Sequence, residues 1–202
     1  MEKKNKNIFP VFDQMIQRKE KELLLFQHSM AIWLYGLSGS GKTTIAIELE
    51  KILFSRGLIC KLLDADNIRT GLNNDLGFSI KQREENIRRV AEINKLFIDG
   101  GVITINCFVC PTIAMRSVAK KIIGKKDFVE IFVNAPIDVC HQRDTKGLYK
   151  KANQGKVTEF TGVSSPFEKP VKPDLEVRTD KLSIKESVNK ILEFVLPKIE
   201  LK

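Results

Sequence analysis

Short apolar runs recur along the chain and alternate with stretches whose apolar residues return every three or four positions. The runs Ala31–Tyr35, Leu58–Leu63, Val102–Asn106, Phe128–Val133 and Leu175–Arg178 predict strands. Between them, Thr43–Phe54 reads as a helix. Ser79, with Gln82 three residues on, forms a capping box that opens a helix to about Asp99, and Ile87, Val90, Ala91 and Phe97 mark its buried face. Gly100-Gly101 stops it. Pro111 opens a further helix, Pro136–Arg143 is helical, and Ser183 with Glu186 caps a last helix bearing Ile184, Val188, Ile191 and Val195. Strands that alternate with helices predict an α/β fold with a mostly parallel central sheet flanked by helices. Such sheets bind ligands beyond the carboxyl ends of their strands. Residues 1–30 read as an extension with a surface helix somewhere in Gln14 to Gln27. Residues 144–173 are polar, rich in Gly, Lys and Pro, and show no period.

Composition narrows the class. The chain has 202 residues, enough for one domain with a sizeable core, and 43% hydrophobic against 29% charged residues excludes a disordered chain. Its longest apolar stretches, Met30–Leu37 and Val102–Pro111, fall far short of the roughly 20 residues a membrane span needs. The polar, lysine-rich start, Met1–Asn7, lacks the apolar core of a secretion signal. Four cysteines are too few for a disulfide scaffold, so a reduced, cytoplasmic protein is expected. Net charge is +9, which fits an anionic partner but also a basic surface without a message.

One motif decides the co-substrate. Gly36, Leu37, Ser38, Gly39, Ser40, Gly41, Lys42 and Thr43 fit G-x-x-x-x-G-K-[ST] in full, with a strand before and a helix after. The glycines let backbone N–H groups curl toward phosphate oxygens, and the helix N-terminus adds positive potential. Lys42 is expected on the β- and γ-phosphates of ATP, Thr44 beside it, and the Thr43 hydroxyl on Mg²⁺. Beyond the second strand, Asp64 and Asp66 are placed to face Mg²⁺ and an attacking hydroxyl, and Arg69 suits an anionic acceptor. Taken alone, that stretch fits a solvated loop equally well.

Leu63–Ser79 (LDADNIRTGLNNDLGFS), Arg83–Arg89 (REENIRR), Lys146–Ala152 (KGLYKKA) and Phe160–Val163 (FTGV) resemble the adenylylsulfate kinase family. The resemblance runs from about Phe9 to Pro197. It implies a P-loop kinase domain over 31–202 with a lid near 144–165. The implied reaction moves the ATP γ-phosphoryl group to the 3′-hydroxyl of adenosine 5′-phosphosulfate, within sulfate assimilation. It implies Asp66 beside that hydroxyl, and Arg69, Arg83 and Asn86 on the phosphosulfate and ribose. Phe78 and Phe160 would sandwich the acceptor adenine, with Val109 and Lys146 completing the pocket. Arg143 resembles the lid arginine near ATP, and Lys146, Lys150, Lys151 and Lys156 are expected to close over the phosphates. The resemblance also implies a homodimer. No nucleic-acid motif or membrane-binding stretch is expected to contribute.

The chain departs from the family at Ala65, where glycine is usual, at Thr70, and at Cys110, which stands where the family has a serine assigned as a phosphoserine intermediate. Thr70, Cys110 and Thr112 leave room for another small nucleotide-like acceptor. Direct in-line transfer is expected here, with Cys110 only lining the pocket. Cys107-x-x-Cys110 lacks two further ligands for a closed zinc site, and it straddles a strand end where side chains alternate. Cys60 and Cys140 read as core residues.

Overall fold

The computed structural model describes residues 7–201, so residues 1–6 of the lysine-rich start lie outside the described part. The elements are α1 (Arg18–Leu25), β1 (Ala31–Tyr35), α2 (Lys42–Ser55), β2 (Cys60–Asp64), α3 (Ala65–Arg69), α4 (Ile80–Asp99), β3 (Ile103–Phe108), α5 (Ile113–Ile123), β4 (Phe128–Asn134), α6 (Ile137–Arg143), α7 (Leu148–Asn153), β5 (Leu175–Arg178) and α8 (Ile184–Ile199). The five strands are all parallel in the order β2-β3-β1-β4-β5. None of the described helices is long and apolar enough to cross a membrane.

Alternation along the strands builds two cores. Ile32 and Leu34 face one side with Ile103, Ile105, Val129 and Ile131, where Leu49 of α2 and Ile191 of α8 cover them. Trp33 and Tyr35 face the other side with Phe108, Phe128 and Phe132, under Val90 of α4 and Met115 of α5. Helices on both faces are what continuous apolar strands require. Buried Thr104 and Asn106 of β3 interrupt the second core, and Asn94 of α4 satisfies them: its Oδ1 accepts from Asn106 Nδ2 at 2.8 Å and from the Thr104 hydroxyl. That network fixes α4 against β3.

The residues before β1 are tied to the rest of the chain from Arg18 onward. The helix there covers only Arg18–Leu25, shorter than the charged stretch in the sequence: Gln17 and Glu20 close a capping box at its start, and Phe26 leaves it at φ +51°. Arg18 grips Asp127 through two bonds of 2.7 and 2.8 Å. Gln27 donates to the Ile59 and Gly101 carbonyls at 2.9 and 2.7 Å. These contacts lie at the amino ends of the strands, the pole opposite the strand tips that follow.

Candidate active site

Strand register sets the tips level. Asp64 of β2 pairs with Cys107 of β3, and Phe108 and Phe132 both pair with Tyr35 of β1, the residue before the glycine-rich loop. A cleft of about 800 Å³ opens above them. Asp64, Asp66, Arg69, Phe78, Arg83, Asn86, Val109, Cys110, Arg143, Lys146 and Phe160 all line it, as do Ser38, Gly39, Gly41, Lys42, Thr43 and Thr44. Gly36, Leu37 and Ser40 of the loop do not line it. Gly36, at φ +152°, passes so close to β4 that a Cβ would sit 2.2 Å from the Val133 carbonyl oxygen. Gly39, at φ +76°, comes similarly near the Cys140 carbonyl.

The loop curls around the Lys42 ammonium, which donates to the carbonyls of Gly36 at 3.0 Å and Leu37 at 2.7 Å. Burial lowers Lys42 to about 8. The Thr43 hydroxyl donates to Asp64 Oδ2 at 2.8 Å, so two oxygen ligands stand side by side at the loop's edge. Oxygen ligands of this kind suit a hard cation such as Mg²⁺. Asp64 also caps α3, accepting from the Asp66 amide at 3.0 Å, and this turn carries Asp66 into the cleft. There Asp66 pairs with Lys146. That bond holds the Lys146 ammonium above the usual lysine range.

Arg69 and Arg83 flank Phe78. Their guanidinium carbons stand 4.4 and 5.4 Å from the ring centroid. Arg69 donates to the carbonyls of Leu76 and Gly77, and Arg83 to those of Phe78 and Glu159. Among the described residues, neither arginine has a carboxylate within 4.0 Å. Burial holds both below the usual arginine range, and Arg69 lowers Arg83 further. Two half-buried guanidinium groups with no carboxylate in direct contact suit an anion. Asn86 is buried, and its Oδ1 accepts from Asn73 at 3.0 Å.

The stretch 144–173, which shows no period in sequence, contains α7. Tyr149 buries itself against Cys140 and meets Phe160 edge-on at 4.9 Å, while its hydroxyl donates to the Ser38 carbonyl at 3.0 Å. Of the four lysines expected to close over the phosphates, Lys146 lines the cleft, whereas Lys150, Lys151 and Lys156 are exposed and do not line it. The sequence reading missed Thr179, whose hydroxyl donates to the Ser40 carbonyl at 2.8 Å and which also accepts from Arg143. It missed Leu182 and Ser183, just before α8, and Ile184 and Ser187 of α8, which line the cleft. The capping box at Ser183 marked the start of α8 but not which way it faced.

Cys110 sits at φ +42° and is 2% exposed, with its thiol pushed by burial up to about 12. A non-glycine residue there costs about 1–3 kcal/mol. Cys107 belongs to the core under α2 and α8, and Cys110 to the core under α4 and α5. The sheet thus separates the pair, and no group of three His, Cys, Asp or Glu among the described residues could hold a metal. Cys140 is fully buried, whereas Cys60 is only partly so.

The family model for adenylylsulphate kinase matches residues 28–178. The chain belongs to the adenylylsulfate kinase family. A relative from Bacteroides thetaiotaomicron called adenylyl-sulfate kinase is 58% identical over 202 residues, covering all of both chains. One of the same name from Clostridium acetobutylicum is 50% identical, over 89% of this chain and 90% of its own. The structure of Mycobacterium tuberculosis APS kinase CysC in complex with AMPPNP and APS superposes with a TM-score of 0.81. It is 38% identical, covering 84% of this chain and 98% of that one. Family membership accounts for a P-loop and an anion site in one cleft.

Proposed function

We propose that this chain transfers the γ-phosphoryl group of ATP to the 3′-hydroxyl of adenosine 5′-phosphosulfate, giving 3′-phosphoadenosine 5′-phosphosulfate and ADP. The carrying observation is the pair of carboxylate-free arginines around Phe78, in the same cleft as the phosphate loop. An acceptor with a purine and two linked anionic groups matches that set. Arg69 and Arg83 take the phosphosulfate, Asn86 supports the ribose, and Phe78 and Phe160 stack on the adenine. Val109 and Lys146 complete the pocket. Lys42 neutralises charge on the transferring phosphoryl group, with Arg143 at the nucleotide side. Asp66, paired with Lys146, orients the 3′-hydroxyl and takes its proton as the oxygen attacks phosphorus, with ADP as the leaving group. Thr43 and Asp64 would hold Mg²⁺, which when bound neutralises phosphate charge. Residues 144–165 act as a lid that keeps water from the phosphoryl group.

The enzyme works in the cytoplasm, within sulfate assimilation, as a homodimer. A hexameric APS kinase from Thiobacillus denitrificans, 27% identical with a TM-score of 0.64 over 86% of this chain and 30% of that one, is a self-assembling relative. A coupled ADP-release assay tests the acceptor. Adenylylsulfate should drive ADP formation, and AMP, ADP and shikimate should not; equal rates with any of these would overturn the reading.

Cys110 has no covalent role in this scheme, since a thiol this far from ionising is a poor nucleophile. Cys110→Ser and Cys110→Ala are each expected to stay within about tenfold of wild-type turnover. Mass spectrometry of quenched reactions should find no phosphorylated Cys110, and a stoichiometric adduct on the reaction path would contradict the scheme.

Lys42 makes nucleotide binding pH-dependent. Its folded value of about 8 lies below that of an unfolded lysine. From this group alone, stability therefore rises between roughly pH 8 and pH 10.5, where the unfolded chain binds more protons. Below that window both states are charged and the burial penalty is complete. Phosphates favour the charged amine, so ATP should bind with proton uptake near pH 8 and weaken above it. Titration calorimetry in buffers of different ionisation enthalpy reads the uptake, which Lys42→Met should abolish. Identical uptake in the two proteins would disprove the linkage.

A further inference from the structure

Arg116 of α5 is a buried cation behind the cleft, with its side chain only 3% exposed. It does not line the cleft. Its nearest carboxylate, Glu130, stands 3.5 Å away and is shared with Lys120 at 3.8 Å. The closer bonds go elsewhere: Nη1 donates to the Cys110 carbonyl at 2.9 Å and Nη2 to the Glu168 carbonyl at 2.8 Å. The guanidinium also lies 4.7 Å from the Tyr35 ring. A buried charge whose better hydrogen bonds serve two backbone oxygens is fixing chain positions rather than completing an ion pair.

Both oxygens belong to segments that matter for the acceptor. Cys110 holds its left-handed backbone between Val109 and Pro111, which line the cleft. Glu168 lies just beyond the segment that carries Phe160, and Phe167 beside it stacks on Phe132 at 5.9 Å. The two segments are also tied directly. The Glu168 amide donates to the Pro111 carbonyl at 2.9 Å, and the Ile113 amide to Glu168 Oε2 at 2.6 Å. Arg116 is the side chain that bridges them from within the core.

We propose that Arg116 is a positioning residue for acceptor binding: its fork sets the Val109–Pro111 turn and the anchored end of the lid in one register without touching the acceptor. The proposal rests on the adenylylsulfate reading given above. Arg116→Lys tests it, because lysine keeps the charge beside Glu130 but cannot bond both carbonyls in the fork geometry. The folded variant should raise KM for adenylylsulfate at least about tenfold, with Kd for a non-hydrolysable ATP analogue within about twofold of wild type. If Arg116→Lys does not fold, the charge-neutral Arg116→Met/Glu130→Gln variant should give the same split. An unchanged KM in a folded variant overturns the proposal, and so do parallel losses for both ligands. Failure of both variants to fold would assign Arg116 to stability alone and also overturn it. Wild-type enzyme that ignores adenylylsulfate would instead refute the underlying reading.

Discussion

Lys42→Ala should lower turnover at least about a hundredfold, a loss of about 3 kcal/mol of transition-state stabilisation. The ammonium is enclosed by the loop it serves, with the Gly36 and Leu37 carbonyls as its hydrogen-bond partners. In that low-dielectric pocket a charge acts on phosphate oxygens far more strongly than it would in water. Alanine also removes a buried cation, so the melting temperature should hold or rise. Steady-state rates with adenylylsulfate and ATP, beside a thermal melt, measure both effects. Near-full activity in the folded variant would remove Gly36–Thr43 from the ATP site.

Arg83→Ala and Phe78→Ala should each weaken adenylylsulfate binding about tenfold or more, while ATP binding without acceptor changes little. A charge-assisted bond from arginine to an anion contributes about 1.5–3 kcal/mol. Stacking on a base contributes roughly 1–3 kcal/mol. Arg83 also joins the Phe78 carbonyl to the Glu159 carbonyl, so its loss loosens both aromatic walls together. Phe160→Ala should in addition lower turnover, because Phe160 anchors the lid segment on Tyr149. Calorimetric titration with a non-hydrolysable ATP analogue, then adenylylsulfate, separates the contributions. Equal losses for both ligands would make these residues supports of the fold, and unchanged binding would put the acceptor elsewhere.

The glycine-rich loop was legible because its function is local: eight consecutive residues encode one backbone path, and flanking apolar patterns supply the strand and helix. The central strand β1 was legible for a similar reason, since burial on both faces leaves an uninterrupted apolar run. Helix α7 was not. A lone buried tyrosine anchors it, and no periodic pattern links Tyr149 to the α6 and Phe160 side chains that bury it. Thr179 escaped notice because its bond to Ser40 spans 139 positions. Lid lysines were assigned by charge alone, and spacing in a segment without period does not say which of them faces the cleft. The strand end that already argued against a Cys107–Cys110 pair in the sequence places the two in different cores. The positive φ of Cys110 has no signature in sequence, because cysteine does not favour it.

The stitching at the amino ends of the strands has a mechanical side. Gln27 and Glu200 form an antiparallel bridge, and the His28 amide donates to the Ile199 carbonyl at 2.7 Å. The backbone thus enters and leaves the α/β body at one pole, while the phosphate-loop cleft opens at the other. A tether fused through either end would pull on the Arg18–Asp127 and Gln27 anchors, leaving the phosphate loop and the lid segment out of the load path.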